Sequence, residues 1–445
     1  MKRREAATLA RRERAPIYAL GNLGTNIYLQ AFATFALFFY VDHLGASIGL
    51  ISLFLALQAV WNALLNPILG QVSDRTRTRV GRRLPYVLAL SAPLGAAFWL
   101  IWRPAFGHAL LPLYFALSVG VFDILYVAVT LNWTSLFPEM FRTLEARATA
   151  QWWRQGVGVV ALMVGVALPP LLYGRFGWSA MGLSFAIVGT AGYLLSVLGS
   201  KESPGPAPEP SDMRGVAAAV RFTVTNPAFL AFLALNFLIQ FTFDVLEAVL
   251  PFFAKYVMHV PNRDLTILLA GIFVVALGLV YPWSLAVRRV GSRTGMAAAI
   301  VLLAVGALPF AWLTGLPWGL AGAVLLGAGL AGFLSLADVL IAEVIDDDAR
   351  RVGRRREGSF FGVNGFVVRF GVSLEALVVY AALHGSGYHA NAAGQASAGV
   401  VDAMRLLMVV VPWLALALAF AALRLVRVPE SPYAGGVAAG AGRTA

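Results

Sequence analysis

The chain has 445 residues, enough for two or three soluble domains. It is 59% hydrophobic and only 13% charged, whereas a soluble domain carries roughly 25% charged residues, so the apolar surplus has to face lipid. A net charge of +12 would suggest a nucleic-acid partner in a soluble protein, but here the basic residues sit between apolar runs and act as topology signals; cysteine is absent, which excludes disulfides and thiol chemistry.

A membrane-crossing helix needs about 20 apolar residues, and the pattern predicts about twelve of them. In chain order they cover 17–41, 48–70, 85–102, 110–136, 150–173, 178–199, 228–251, 265–287, 296–314, 317–344, 359–383 and 402–427. The stretch before the first is too polar to hold a signal-peptide core, so no cleaved leader is expected. Span one carries Tyr18, Asn22, Asn26 and Gln30 at four-residue steps. The turn after it, Gly45-Ala46-Ser47-Ile48-Gly49, formally matches a nucleophile elbow but joins two helices, where that motif has no meaning. Span two carries Gln58, Asn62 and Asn66, and span four Asp123, Tyr126, Thr130 and Thr134. After span six the Pro-rich segment 201–227 is the one long polar interruption. The expected organisation is an N-terminal six-helix bundle over 1–200, this cytoplasmic linker, and a C-terminal six-helix bundle over 228–445. Span seven carries Asn236, Gln240, Asp244 and Glu247, and span ten a run of Gly and Ala (319–332) suited to close helix packing in lipid. An internal echo supports two homologous halves: Asn66-Pro67 and Tyr281-Pro282 are each followed by an Arg-rich, Gly-containing turn.

Orientation follows from Arg and Lys. They concentrate at the N-terminus, in Arg75–Arg83 and in Arg350–Arg356, and are sparse in the alternate connections. The positive-inside rule then makes both termini cytoplasmic. His43, His108, His259, His384 and His389 fall on or near the outer side, which argues against a histidine proton relay.

Polar residues inside spans are costly, and spacings of three or four residues put each set on one helix face. Bonding between helices explains an isolated amide; whole stripes on helices of both halves predict a hydrated central pathway. Asp123 sits near the middle of its span, with Arg154 and Arg369 as possible partners. Asp244 and Glu247 share a face, and with Asp123 they are the candidates for proton coupling; Asp338 and Glu375 are weaker ones because both approach span ends. Asp74, Arg75, Arg82, Glu139, Glu343 and Arg355, beside Asp346–Asp348, are the candidate cytoplasmic gate, an ion-pair network made in one state and broken in another. No Walker, H-E-x-x-H or metal-ligand pattern is present, so no cofactor and no metal are expected.

The stretch Asn66–Arg83 (NPILGQVSDRTRTRVGRR) resembles the signature loop of the major facilitator superfamily. Pro138-Glu139-Met140, Trp153-Arg154-Gln155 and 342–371 (AEVIDDDARRVGRRREGSFFGVNGFVVRFG) narrow the resemblance to the glycoside-pentoside-hexuronide:cation symporters, the melibiose-permease-like family. It implies an all-α polytopic protein of two six-helix bundles related by pseudo-two-fold symmetry. It also implies a secondary transporter working by alternating access on a sugar, glycoside or similar polar molecule. Aligned on this chain, the family's cation and sugar carboxylates fall on Asn26, Asn62, Asn66 and Thr130, none of them acidic. The basic positions match as Arg154 and Arg369. Together with Asn364 these are the expected substrate-binding residues, and sodium coupling is in doubt. The expected partners are a small-molecule substrate, membrane lipid and a proton, with no nucleic acid, and the chain is expected to function as a monomer with no catalytic residues. A lysolipid or amphiphile transporter of the same fold is the alternative, with Trp133, Trp152 and Trp153 lining a lateral groove. An intramembrane enzyme and a non-transporting sensor are remoter readings.

Overall fold

Proline marks the start of many of the helices. It lacks a backbone N–H and is therefore tolerated in the first turn, where that group has no partner in any case. The computed structural model describes residues 14–141, 143–202, 225–312, 314–352, 357–388 and 397–426. Among them Pro85, Pro112 and Pro227 stand in opening turns. Pro93, Pro138, Pro251 and Pro282 lie inside continuous helices, whereas Pro169 follows the fifth helix at a point where the chain turns by 42°.

The helices are α1 (Gly21–Leu37), α2 (Ile48–Arg75), α3 (Leu84–Ile101), α4 (Leu111–Met140), α5 (Leu144–Ala167) and α6 (Trp178–Leu198). They continue with α7 (Pro227–Phe253), α8 (Asn262–Val290), α9 (Ser292–Ala307), α10 (Leu316–Val352), α11 (Glu357–Gly385) and α12 (Ala398–Leu425). Among the described residues ten helices are long and apolar enough to cross a membrane, or eleven with α5 and Pro169–Phe176 taken as one bent span. The first span is interrupted: α1 is preceded by Ala15–Ala19 and continues into the π-helical turn Phe38–His43. Leu20, between the first two pieces, keeps helical dihedrals, so the expected span over 17–41 is helical despite the interruption. Lipid contact is written on the surface: Leu57, Leu64 and Ile68 of α2 are each more than half exposed on a strongly apolar helix. The described residues hold no strand beyond one isolated bridge, Thr78 to Gly81. Ser47 of the G-x-S-x-G match is the N-cap of α2, with no strand before it.

The chain divides into two compact units, whose described residues come from Met1–Pro208 and from Glu209–Tyr388 with Gly394–Ala445. Within the first, α1 packs on α5 and α6, α3 on α4 and α6, and α2 on α4. Within the second, α7 packs on α11 and α12, α9 on α10 and α12, and α8 on α10. The same five pairings recur six helices later, so the echo between Asn66-Pro67 and Tyr281-Pro282 belongs to a repeated scaffold. The glycines of 319–332 do what lipid-embedded packing requires: Gly319 and Gly327 abut residues of α8, while Gly322 and Gly329 abut the backbone carbonyls of Gly306 and Ala299 on α9.

Candidate functional site

In the first unit the polar stripe of α1 faces α5. Asn22 donates to the Arg154 carbonyl, and Gly158 of α5 leaves room for the amides of Asn22 and Asn26. The Arg154 guanidinium lies over the rings of Trp133 (5.0 Å) and Phe137 (4.9 Å) of α4. Such cation–π contacts contribute about 0.5–2 kcal/mol each, more where water is excluded. Arg154 is therefore held by aromatic faces, not by Asp123 as its charge had suggested. Tyr18 stacks on the same Trp133 at 5.0 Å and donates to its carbonyl, closing an aromatic box around the cation.

Asp123 of α4 is 3% exposed and accepts from Gln58 of α2 at 2.9 Å, with Asn62 close beside it; its second oxygen has no hydrogen-bond partner. Asn26, Asn62 and Asn66 each donate to the carbonyl four residues earlier on their own helix. Their side-chain oxygens accept nothing among the described residues, so they form a set of open acceptors. Thr130 is placed differently: its hydroxyl meets Tyr193 of α6 at 2.9 Å, and Tyr193 also meets Thr25 of α1. Thr130 thus belongs to a linkage among α1, α4 and α6.

In the second unit Asn236 of α7 donates to Asn364 of α11 at 2.9 Å, the counterpart of the Asn22–Arg154 link. Arg369 of α11 is exposed and makes no hydrogen bond or ion pair among the described residues, so it balances no acid there. Asp244 accepts from Gln240 and reaches α11 at Gly371, where a Cβ would stand 3.0 Å from its other oxygen. Glu375, one turn beyond Gly371, feels the charges of both Asp244 and Glu247. Glu375 lies ten residues before the end of α11 at Gly385, about 15 Å at 1.5 Å per residue.

The Arg-rich end of the first unit carries a connected network. Arg82 pairs with Glu139 at 2.6 Å, and Arg83 reaches Glu139 at 3.2 Å and Asp74 at 3.4 Å. Its anchor is a residue that sequence reasoning missed. Glu202, just past α6, accepts from the backbone N–H groups of Arg82, Arg83 and Leu84 at 2.9, 3.0 and 3.3 Å and pairs with the Arg82 side chain at 3.5 Å. A carboxylate on the unsatisfied N–H groups and positive dipole end of α3 is a favourable cap. Gly81, at φ +119°, provides the turn, and a Cβ there would collide with Glu202. The one sequence signal was a repeat: Glu-Ser-Pro occurs at 202–204 and again at 430–432, after the sixth and twelfth predicted spans.

At the corresponding end of the second unit, Glu343 accepts from Ser292 at 2.6 Å, Asp348 from Asn226 at 3.0 Å, and Asp347 pairs with Arg351. Glu343 is therefore hydrogen-bonded to a hydroxyl where an Arg partner had been expected. Arg75 is exposed and has no partner among the described residues, and Arg355 lies outside them. Of the tryptophans considered for a lipid groove, Trp133 is fully buried in the box around Arg154, while Trp152 and Trp153 are exposed at 68% and 38%.

A family model described as MFS/sugar transport protein matches residues 17–430. The chain belongs to that family. It is 25% identical over 436 residues to an isoprimeverose transporter of Lactiplantibacillus pentosus, covering 93% of this chain and 88% of the relative. A symporter of Synechocystis, itself uncharacterised, is 22% identical over 477 residues, covering 85% of this chain and 86% of that one. The fold is that of the solved nucleoside transporter NupG, with a TM-score of 0.67 at 15% identity, covering 93% of this chain and all of that one. The protein is thus a multi-pass membrane transporter of the major facilitator fold.

Proposed function

We propose that this protein moves a sugar or glycoside across the cell membrane by alternating access, coupled to protons and not to sodium. The match to an isoprimeverose transporter along nearly the whole chain carries this reading. The chemistry agrees with it. Sugar hydroxyls are donors, and Asn26, Asn62 and Asn66 offer side-chain oxygens that nothing in the described protein occupies. Arg154, boxed by Trp133 and Phe137, sets a fixed cation on the helix that Asn22 and Asn26 face, and in the second unit Asn364 and Arg369 of α11 are assigned to substrate binding. Both termini are cytoplasmic, which puts Asp74, Arg82, Arg83, Glu139 and Glu202 at the cytoplasmic gate, and the functional unit is the monomer.

The test is uptake by the purified protein in proteoliposomes, across a panel of monosaccharides, disaccharides, glycosides and lysolipids. Each is measured under an imposed proton gradient, an imposed sodium gradient, or neither. Saturable uptake of one carbohydrate class, raised by the proton gradient alone, is the expected result. Uptake of lysolipids with no carbohydrate transported would replace the reading with the amphiphile alternative.

A further inference from the structure

Repeated halves need not share their chemistry. In the first unit Asp123 is buried mid-helix and takes a Gln58 amide, while Asp42 is buried in the turn that ends the first span. The second carries three on two packed helices: Asp244 and Glu247 one turn apart on α7, and Glu375 on α11, one turn beyond the Gly371 that Asp244 abuts. Glu375 is 94% buried, and its Oε1 has no hydrogen-bond partner. The Asp244 Oδ2 atom is likewise buried without one, pressed toward α11 beside Gly371. The described helices packed against these two also carry Lys255, Asp338, Glu343, Asp346, Asp347, Asp348, Arg350, Arg351, Asp402, Arg405 and Arg424, with Arg369 and His384 on α11 itself; Lys255 and Glu247 have interactions of their own, and Glu375 makes no ion pair among the described residues. The Nε of Arg405 is itself buried and unpartnered.

Carboxylates on two packed helices in a low-dielectric interior repel one another unless something positive joins them. A metal ion is one possibility, but among the described residues no three acidic or metal-ligating side chains converge closely enough to hold one. A proton needs no such shell. We propose that Asp244, Glu247 and Glu375 form the proton-binding site of this transporter, contained within the second unit, and that Glu375 is the group that gains and loses the proton. This rests on the proton-coupled reading above and goes beyond it. It moves the coupling site away from the Asn26, Asn62, Asn66 and Thr130 positions, where the family resemblance puts the cation. In each cycle Glu375 takes a proton from water on one side and returns it to water on the other. Asp244 and Glu247 raise or lower its hold on that proton as the helices move.

The experiment compares the parent with Glu375→Gln and Glu375→Asp in proteoliposomes, after size-exclusion and melting profiles establish that each is folded. Three quantities are read: accumulation under a proton gradient, substrate-induced pH change outside, and exchange of labelled for unlabelled substrate at equal concentrations. A glutamine resembles the protonated carboxyl, so Glu375→Gln should still exchange substrate. It should lose accumulation about tenfold or more, and with it the pH change, as expected when a proton-transfer group is removed. Glu375→Asp should recover both in part. If the glutamine variant does not fold, Asp244→Asn is read for a shifted pH profile of uptake. Accumulation and proton movement that persist in folded Glu375→Gln overturn the assignment and leave proton coupling standing. A parent that moves substrate with no proton movement at all overturns the coupling reading itself.

Discussion

The two units share five helix pairings and almost no chemistry. Where α1 meets α5, Asn22 bonds to the Arg154 carbonyl; where α7 meets α11, Asn236 bonds to the Asn364 side chain. The fifth helix carries an Arg clamped between Trp133 and Phe137, and the eleventh an Arg with no partner among the described residues. Among the described residues the Arg-rich end of the first unit carries the Arg82, Arg83 and Glu139 ion pairs, and that of the second the Ser292 and Asn226 hydrogen bonds with the Asp347–Arg351 pair. The difference teaches where freedom lies. A repeated backbone preserves which helices touch, and each half then spends its polar residues differently: the first on fixed amides and a caged cation, the second on unpaired charge. A charge left unpaired in a membrane helix is costly, so the second unit is where ligand and proton have most to gain.

The strongest break in that comparison comes from the two arginines. Arg369→Ala should reduce transport roughly ten- to a hundredfold, the scale of losing a charged donor to a bound ligand at about 1.5–3 kcal/mol, with folded protein still recovered from the membrane. Arg154→Ala should reduce transport and also lower thermal stability, because its guanidinium is engaged by two rings. Initial uptake rates and melting curves of both variants separate the cases. Normal transport by Arg369→Ala would remove that residue from the site.

Glu202 comes next. Its carboxylate serves three backbone N–H groups and one guanidinium, and it is 5% exposed. Glu202→Ala should cost about 1.5–3 kcal/mol, as for buried charge-assisted hydrogen bonds, seen as a lower melting temperature in detergent. Asp74 is a milder case, 46% exposed with one contact to Arg83 at 3.4 Å. Asp74→Asn should alter turnover by about fivefold at most, in line with an exposed pair worth about 0.2–1 kcal/mol, and leave equilibrium binding nearly unchanged. Accessibility labelling decides it: identical inward and outward populations in variant and parent would take Asp74 out of the gate.

These residues also mark what could be read from sequence. The spans and their polar stripes were legible because apolar length and a period of 3.6 are local properties. The partners were not, because they depend on the register between helices. Nothing near Asp244 in the chain announces Glu375, 131 residues away (375 − 244). Arg154 looked like a partner for Asp123 because charge is visible in sequence, whereas the preference for ring faces depends on where Trp133 and Phe137 project. Glu202 escaped notice because its partners are backbone N–H groups, which leave no trace in side-chain pattern.

The smallest expected effect is the most exposed claim: replacing sodium with choline at constant pH should leave uptake unchanged. Selective sodium binding calls for several oxygen ligands and gains most from a carboxylate among them, because the ion must be stripped of water. In the first unit the positions the resemblance marks for a cation are Asn26, Asn62, Asn66 and Thr130, and the Thr130 hydroxyl is engaged with Tyr193. The nearby carboxylate, Asp123, is held by Gln58, and seven residues of helix, about 10 Å, separate it from Thr130. In the second unit the acids are numerous but do not converge as a metal shell. Among the described residues no three acids gather for an ion, while the buried Oδ2 of Asp244 and Oε1 of Glu375 stand without hydrogen-bond partners. Uptake measured at a fixed pH gradient, with sodium stepped from nominally absent to saturating, should trace a flat line. A saturable rise with sodium would mean that Asp123 swings away from Gln58 to meet Asn62 and an ion, and the first unit, not the second, would then hold the coupling site.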